Sequence, residues 1–161
     1  MHVASMELMA KFAEDYADKK SLVLDIGSFD VNGTYKELFS DCKSYMGLDI
    51  TEGPNVDLAV DDPYQWPLKD GYFDIVISGQ TFEHIEKPTE TIKEMARVLK
   101  PGGHCCIIAP SAGPVHHYPI FTGHWSVSKF RKLAKAAKLT VIKAEVHKAE
   151  PWDDVILIVK K

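Results

Sequence analysis

Two acids and a glycine are the residues of this chain best spaced for ligand chemistry. Asp25-Ile26-Gly27-Ser28 follows a short apolar run, and Asp49 closes a second such run 24 residues later. Glycine lets a ligand approach the backbone, and an acid at this separation suits the ribose hydroxyls of a bound nucleoside. A dinucleotide is the obvious competitor, but the full GxGxxG run is missing. Asp25 would also bring negative charge to a pyrophosphate that needs donors and a helix N-terminus. A cationic, phosphate-free nucleoside suits this charge better. A further acidic turn, Asp61-Asp62-Pro63, offers an adenine partner: Pro63 lacks an N–H, so the Asp61 carboxylate with the Asp62 amide is the more workable pair, and Asp62 is the alternative acceptor. The plainer reading of Asp25 is an acid capping its turn, and that of Asp61 and Asp62 a solvated acidic turn.

Candidate general bases are His84 and the loop histidines His116, His117 and His124, because imidazole titrates near neutral pH. Surface or structurally bonded histidines are the commoner case. His116-His117 with His124 does not define a metal site, since no third or fourth ligand follows from local spacing, and no metal is expected. Tyr118, Phe121 and Trp125 could line an acceptor pocket, with packing of the loop onto a sheet as the alternative.

Strands alternating with helices must position these groups. Apolar residues Val3, Met6, Met9, Phe12 and Tyr16 recur at helical spacing. Residues 21–26, 45–50, 55–60 and 73–78 read as short strands, with a short helix at 34–39 after the Asn32-Gly33 turn. Pro88 opens a helix to Leu99 that Pro101-Gly102-Gly103 stops, and His104 to Ala109 is a fifth strand. Residues 110–125 form a long loop, the candidate substrate loop. A helix capped by Ser126 follows, then strands at 139–146 and 155–160. The linker 150–154 is too short for a crossover helix, so the last strand should pair antiparallel. Cys105 and Cys106 should point to opposite faces of their strand. The expected fold is α/β, an open, mostly parallel Rossmann-like sheet of seven strands with the last antiparallel and helices on both faces, binding ligands beyond the carboxyl ends of its strands. One domain is expected over 1–161, with an N-terminal helix (1–20), a cofactor-binding part (21–110), and the substrate loop with the C-terminal strands (111–161).

The segments Val23 to Gly27, Gly47 to Ile50, Tyr72-Phe73-Asp74 to Ser78, Phe82-Glu83-His84 and Arg97-Val98-Leu99-Lys100-Pro101-Gly102-Gly103 resemble the successive motifs of class I S-adenosylmethionine-dependent methyltransferases. The coupling of the last three at family-like spacing is the most specific part. The resemblance implies that S-adenosylmethionine is bound by Gly27, Ser28, Asp49, Ile50 and the Asp61-Asp62 turn, with further contacts from Ser78, Gly79 and Gln80, and leaves as S-adenosylhomocysteine. Asp25 joins this set on the charge argument. Where the family commonly carries further glycines this chain has Phe29 and Val31, and the next glycine is Gly33, so a bulkier loop is implied.

Methyl transfer from a sulfonium is a direct displacement that mainly needs alignment, with a base only if the acceptor must lose a proton. Little sequence is left for a lid, which suggests a large or partner-presented acceptor, or a pocket completed by a second subunit of a homo-oligomer. The alternatives are a catalytically silent binding module of the same fold and, with less support, a nicotinamide oxidoreductase. A formal charge of -4 does not favour nucleic acid. Three cysteines without CxxC spacing fit a reducing cytoplasm. Glu7, Glu14 and Asp15 within the first 20 residues speak against a signal peptide, and no apolar run is long enough for a membrane span.

Overall fold

The computed structural model describes residues 3–31, 33–114, 120–149 and 151–161. Seven strands form one sheet: β1 (Leu22–Ile26), β2 (Ser44–Asp49), β3 (Leu58–Ala59), β4 (Phe73–Gly79), β5 (Leu99–Ala112), β6 (Thr140–His147) and β7 (Asp153–Lys160). Their order is β3-β2-β1-β4-β5-β7-β6. The first five are parallel, and β7 runs antiparallel to both neighbours, as the short connection between β6 and β7 requires.

The helices are α1 (Val3–Tyr16), α2 (Pro88–Val98) and α3 (Val127–Ala136). They divide between two apolar layers because side chains alternate across each strand. Leu24 and Ile26 of β1 face α2 and α3, among Ile92, Met95, Phe130 and Leu133. Val23 faces α1, among Met9, Phe12, Ile75 and Ile77. Cys105 and Cys106 are both buried, one in each layer. Pro88 occupies the first turn of α2, and the Ser126 hydroxyl caps α3 by accepting from the Lys129 amide at 3.3 Å.

Three boundaries differ from expectation. The helix expected at 34–39 is a single 3-10 turn, Lys36–Phe39, because buried Tyr35 and Phe39 anchor its two ends and leave no room for a second turn. The strand expected at 55–60 shrinks to Leu58 and Ala59. Its leading residues form a turn in which Asp57 Oδ2 accepts from the Gly47 amide at 2.8 Å, with Asn55 left-handed at φ 66. Conversely, β5 begins at Leu99 and runs through Pro101-Gly102-Gly103, since Leu99 pairs with Phe73 before the ladder shifts register.

Arg97 fastens the end of α2 to the segment before β4. Its guanidinium donates to Glu94, to Asp70 Oδ1 at 2.6 Å and to the carbonyls of Leu68 and Trp66. Arg97→Ala leaves those acceptors unserved and is expected to cost about 2–3 kcal/mol, read as a lower urea midpoint. Arg97→Lys should recover only part of that loss, because an ammonium lacks the guanidinium fork.

Candidate functional site

Chain order reverses across the β1–β4 boundary: β1 leads outward to β2 and β3, whereas β4 leads the other way to β5. An open α/β sheet binds ligands at such a switch point, beyond the carboxyl ends of the strands. Here the switch point brings together Gly27, Ser28, Asp49, Ile50, Ser78, Gly79 and Gln80, which end or directly follow β1, β2 and β4. The Asp49–Ala59 pairing sets the Asp61-Asp62 turn beside them, just past β3.

Gly27 turns the chain out of β1 at φ +75, and its amide donates to Leu48 O at 2.9 Å. A Cβ there would fall 2.2 Å from Thr81 Oγ1, so only glycine lets the loop after β4 come this close. Asp49 braces the facing loop: Oδ2 accepts from the Phe29 amide at 3.1 Å, and Oδ1 from the Ile50 and Thr51 amides at 2.7 and 3.3 Å. Ile50 stands exposed next to it. Asp62 Oδ1 is engaged by the Tyr64 amide at 2.8 Å, and Asp61 is exposed.

Two of the serines are drawn inward. Ser78 donates to Ile26 O at 2.9 Å and is fully buried; Ser28 is buried against Gly47. Gly79 is held against the Tyr35 hydroxyl, 2.2 Å from where its Cβ would lie. Gln80 adopts a left-handed φ of 57 and donates to Asp154 Oδ1 at 2.9 Å.

The bulky residues of the glycine loop are accounted for locally. The Phe29 ring packs on Gly53, at 2.2 Å from a would-be Cβ, and Val31 points to solvent, 81% exposed.

Asp25, expected to front a cationic ligand, is placed in the buried end of β1. By strand alternation Asp25 lies on the α1 side with Val23, 3% exposed, and Tyr45 donates its hydroxyl proton to Oδ2. Burial outweighs that bond and pushes the carboxyl up to about 7, so near neutrality it carries at most part of a charge. Trp125 is buried, stacked on Phe130 at 4.8 Å and edge-on to Phe82, and it lines the cleft between α2 and α3. His116, His117 and Tyr118 lie outside the described residues. The Nε2 of His124 is buried and unpaired among the described residues, and its ring meets Phe121 edge-on at 5.2 Å. Among the described residues no group of three or more His, Cys, Asp or Glu could hold a metal.

His84 lies in the 3-10 turn Phe82–His84 that follows β4. Its Nδ1 bonds the carbonyl of Ile120. A carbonyl only accepts, so Nδ1 carries the proton and Nε2 is the basic nitrogen. Glu83, to which sequence reasoning gave no role, is the buried acid beside His84. It is 1% exposed, its Oε1 lies 3.7 Å from His84 Nε2, and burial, with the charge of Asp154 adding, pushes its carboxyl up to about 8. It stood in sequence only as the middle of Phe82-Glu83-His84, where nothing local announces burial. Two surface clefts of about 400 and 370 Å³, one between α1 and the 3-10 turn at 36–39, the other between α2 and α3, touch neither Gly27 nor Asp49.

The sequence profile of a methyltransferase domain matches residues 24–107, more than half of the chain. The chain belongs to the class I S-adenosylmethionine-dependent methyltransferases. Norajmaline N-methyltransferase of Rauvolfia serpentina is 30% identical over an alignment 116 residues long that covers 62% of this chain and 39% of that enzyme. Among solved structures, the 1,6-didemethyltoxoflavin-N1-methyltransferase of Burkholderia thailandensis, with 1,6-didemethyltoxoflavin and S-adenosylhomocysteine bound, superposes at a TM-score of 0.77. It is 17% identical, with 98% of this chain and 78% of that one covered. A Bacillus halodurans protein described as a methyltransferase reaches 0.76 at 16% identity, covering 95% and 98%. The matches span 16% and 39% of the curated relatives' own length. No helix among the described residues is long and apolar enough to cross a membrane.

Proposed function

We propose that this methyltransferase binds S-adenosylmethionine in the crevice at the ends of β1, β2 and β4 and transfers its methyl group to an acceptor N–H or O–H, large or partner-presented, that approaches over the ends of β4 and β5. The carrying observation is the pairing, at the switch point, of left-handed Gly27 with the braced carboxylate of Asp49. Phosphate-binding sites gather amide donors at a helix N-terminus. Here the loop amides of Phe29, Ile50 and Thr51 are turned onto a carboxylate instead, which suits a hydroxylated, cationic ligand. Asp49 would take the ribose hydroxyls beside Ile50, the Asp61-Asp62 turn the adenine, and the backbone from Gly27 to Ser28 and at Gly79-Gln80 the remainder. When bound, S-adenosylmethionine supplies an electrophilic methyl on a sulfonium. The chain's own part is alignment of donor and acceptor, with His84 Nε2 as the group that takes the acceptor's proton.

Calorimetric titration with S-adenosylmethionine, S-adenosylhomocysteine and NAD tests the reading. Saturable binding of the first two and none of the third is expected. Asp49→Ala should weaken S-adenosylhomocysteine binding about tenfold to a hundredfold, the worth of a charged hydrogen bond. Absence of binding to the wild-type chain would sink the proposal. It would leave a catalytically silent module, a reading that draws on one observation, the Thr81 side chain lying over Gly27.

A further inference from the structure

The loop that leaves β1 is held from outside itself, by β2 and the turn that follows it. Its amides from Gly27 to Asp30 are all spent there: Gly27 and Ser28 donate to Leu48 O at 2.9 and 3.2 Å, Phe29 to Asp49 Oδ2 at 3.1 Å, and Asp30 to Pro54 O at 3.0 Å. The Phe29 ring lies on Gly53. One further side chain crosses the same seam. Asn55 donates from Nδ2 to Ser28 O at 3.0 Å, and it reaches the Tyr45 hydroxyl, itself the donor to Asp25. Gly47 leaves room for this approach, since a Cβ there would fall 2.0 Å from Asn55 O and 2.6 Å from Ser28 Oγ.

Two features of Asn55 call for a role. Its backbone is left-handed at φ 66, a conformation that glycine takes more readily. Its Oδ1 is buried with no hydrogen-bond partner among the described residues, which costs stability. What asparagine adds over glycine here is the donor end of its amide. Ser28 presents a carbonyl, which only accepts, so the amide nitrogen is the end turned toward it.

We propose that Asn55 is a positioning residue for the cofactor: it latches the Gly27–Asp30 loop to the turn after β2, so that this wall of the crevice is set before a ligand arrives. The inference rests on the binding reading above. A ligand that met a loose loop would have to order it, at a cost in affinity. With Phe29 and Val31 in a loop of this kind in place of further glycines, the hold comes from the neighbouring turn, and Asn55 is the side chain of that turn that grips the loop backbone.

The test combines calorimetry with S-adenosylhomocysteine and hydrogen exchange at the Phe29 and Asp30 amides, in the wild-type chain, Asn55→Gly and Asn55→Asp. Glycine keeps the left-handed backbone and removes the side chain, whereas aspartate keeps the shape and removes the donor. Both variants should bind about threefold to tenfold more weakly, the worth of one hydrogen bond. Exchange at the two loop amides should quicken while the core amides of β4 and β5, which report global stability, keep their rates. Variants that bind as tightly as the wild type overturn the inference. So does weaker binding in which the loop amides change no more than the core ones, the mark of a purely structural residue. If Asn55→Asp does not fold, Asn55→Gly decides. A wild-type chain that does not bind sinks the reading above and this role with it, whereas binding that both variants retain sinks the latch alone.

Discussion

Replacing Gly27 by alanine is expected to destabilise the fold by about 2–4 kcal/mol and to abolish saturable binding of S-adenosylhomocysteine. Two costs add at this one position. The backbone is left-handed at φ +75, worth about 1–2 kcal/mol for a residue with a Cβ. The methyl carbon would also fall 2.2 Å from Thr81 Oγ1 and 2.3 Å from Thr81 Cγ2, well inside contact distance, so the loop that carries Gly79 and Gln80 must move. That loop forms one wall of the proposed crevice, hence the effect on binding. Adding Thr81→Gly removes the clash but not the backbone strain, so in a double-mutant cycle the pair should be about 1–2 kcal/mol better than the sum of the single changes. Urea unfolding measures stability and calorimetry the binding. A single variant that unfolds and binds like the wild type would show that the β1 and β4 loops do not meet as described.

Stability is expected to fall as pH rises from about 4 to about 8. Asp25 and Glu83 both have carboxyls pushed up by burial, from 3.8 to about 7 and from 4.5 to about 8. Within that window the folded chain holds protons that the unfolded chain has released, so the slope of stability against pH is negative. The contribution is fully present below the unfolded values and is lost as pH passes the folded ones. Each tenfold change in proton affinity is worth about 1.4 kcal/mol, which puts the upper bound for either group at roughly 4–5 kcal/mol. Asp25→Asn should flatten the curve up to about 7 and keep an acceptor for the Tyr45 hydroxyl, and Glu83→Gln should flatten it up to about 8. Both variants should therefore gain on the wild type at pH 9 and gain nothing at pH 4. A wild-type urea midpoint that stays level or rises from pH 5 to 9, or a slope the two substitutions leave untouched, would count against the burial of these acids.

Much of the architecture was legible because burial leaves a periodic trace. Met9 and Phe12 fall at helical spacing and are buried, and Ile92, Met95 and Ala96 mark the inner face of α2. Val155 to Val159 is apolar throughout, and Leu22 to Ile26 is apolar but for Asp25, because both faces of those strands are covered. The short connection between β6 and β7 forced their antiparallel pairing. The elements that came out differently lie where local side-chain bonds or single anchors decide. Asp57 replaced the start of a strand with a turn, and Tyr35 with Phe39 reduced a helix to one 3-10 turn.

From the amino-acid sequence alone followed the class of fold, the family resemblance and the set of strand ends at which a ligand would bind, because these depend on periodicity and on motif spacing along the chain. Only the tertiary structure decided which polar groups are buried and which stand open at those strand ends. Asp25 went to the α1 layer because its place in β1 has the parity of Val23, and Trp125 went to the core because Phe82 and Phe130 close on it. The Phe29 ring found room over Gly53. Glu83, which has no local signal, became the buried acid beside His84 because β4, β7 and the 120–122 segment converge on its turn. Whether an acid is a solvated cap or a buried proton holder depends on neighbours brought from distant parts of the chain, and that distance is what spacing in sequence does not measure.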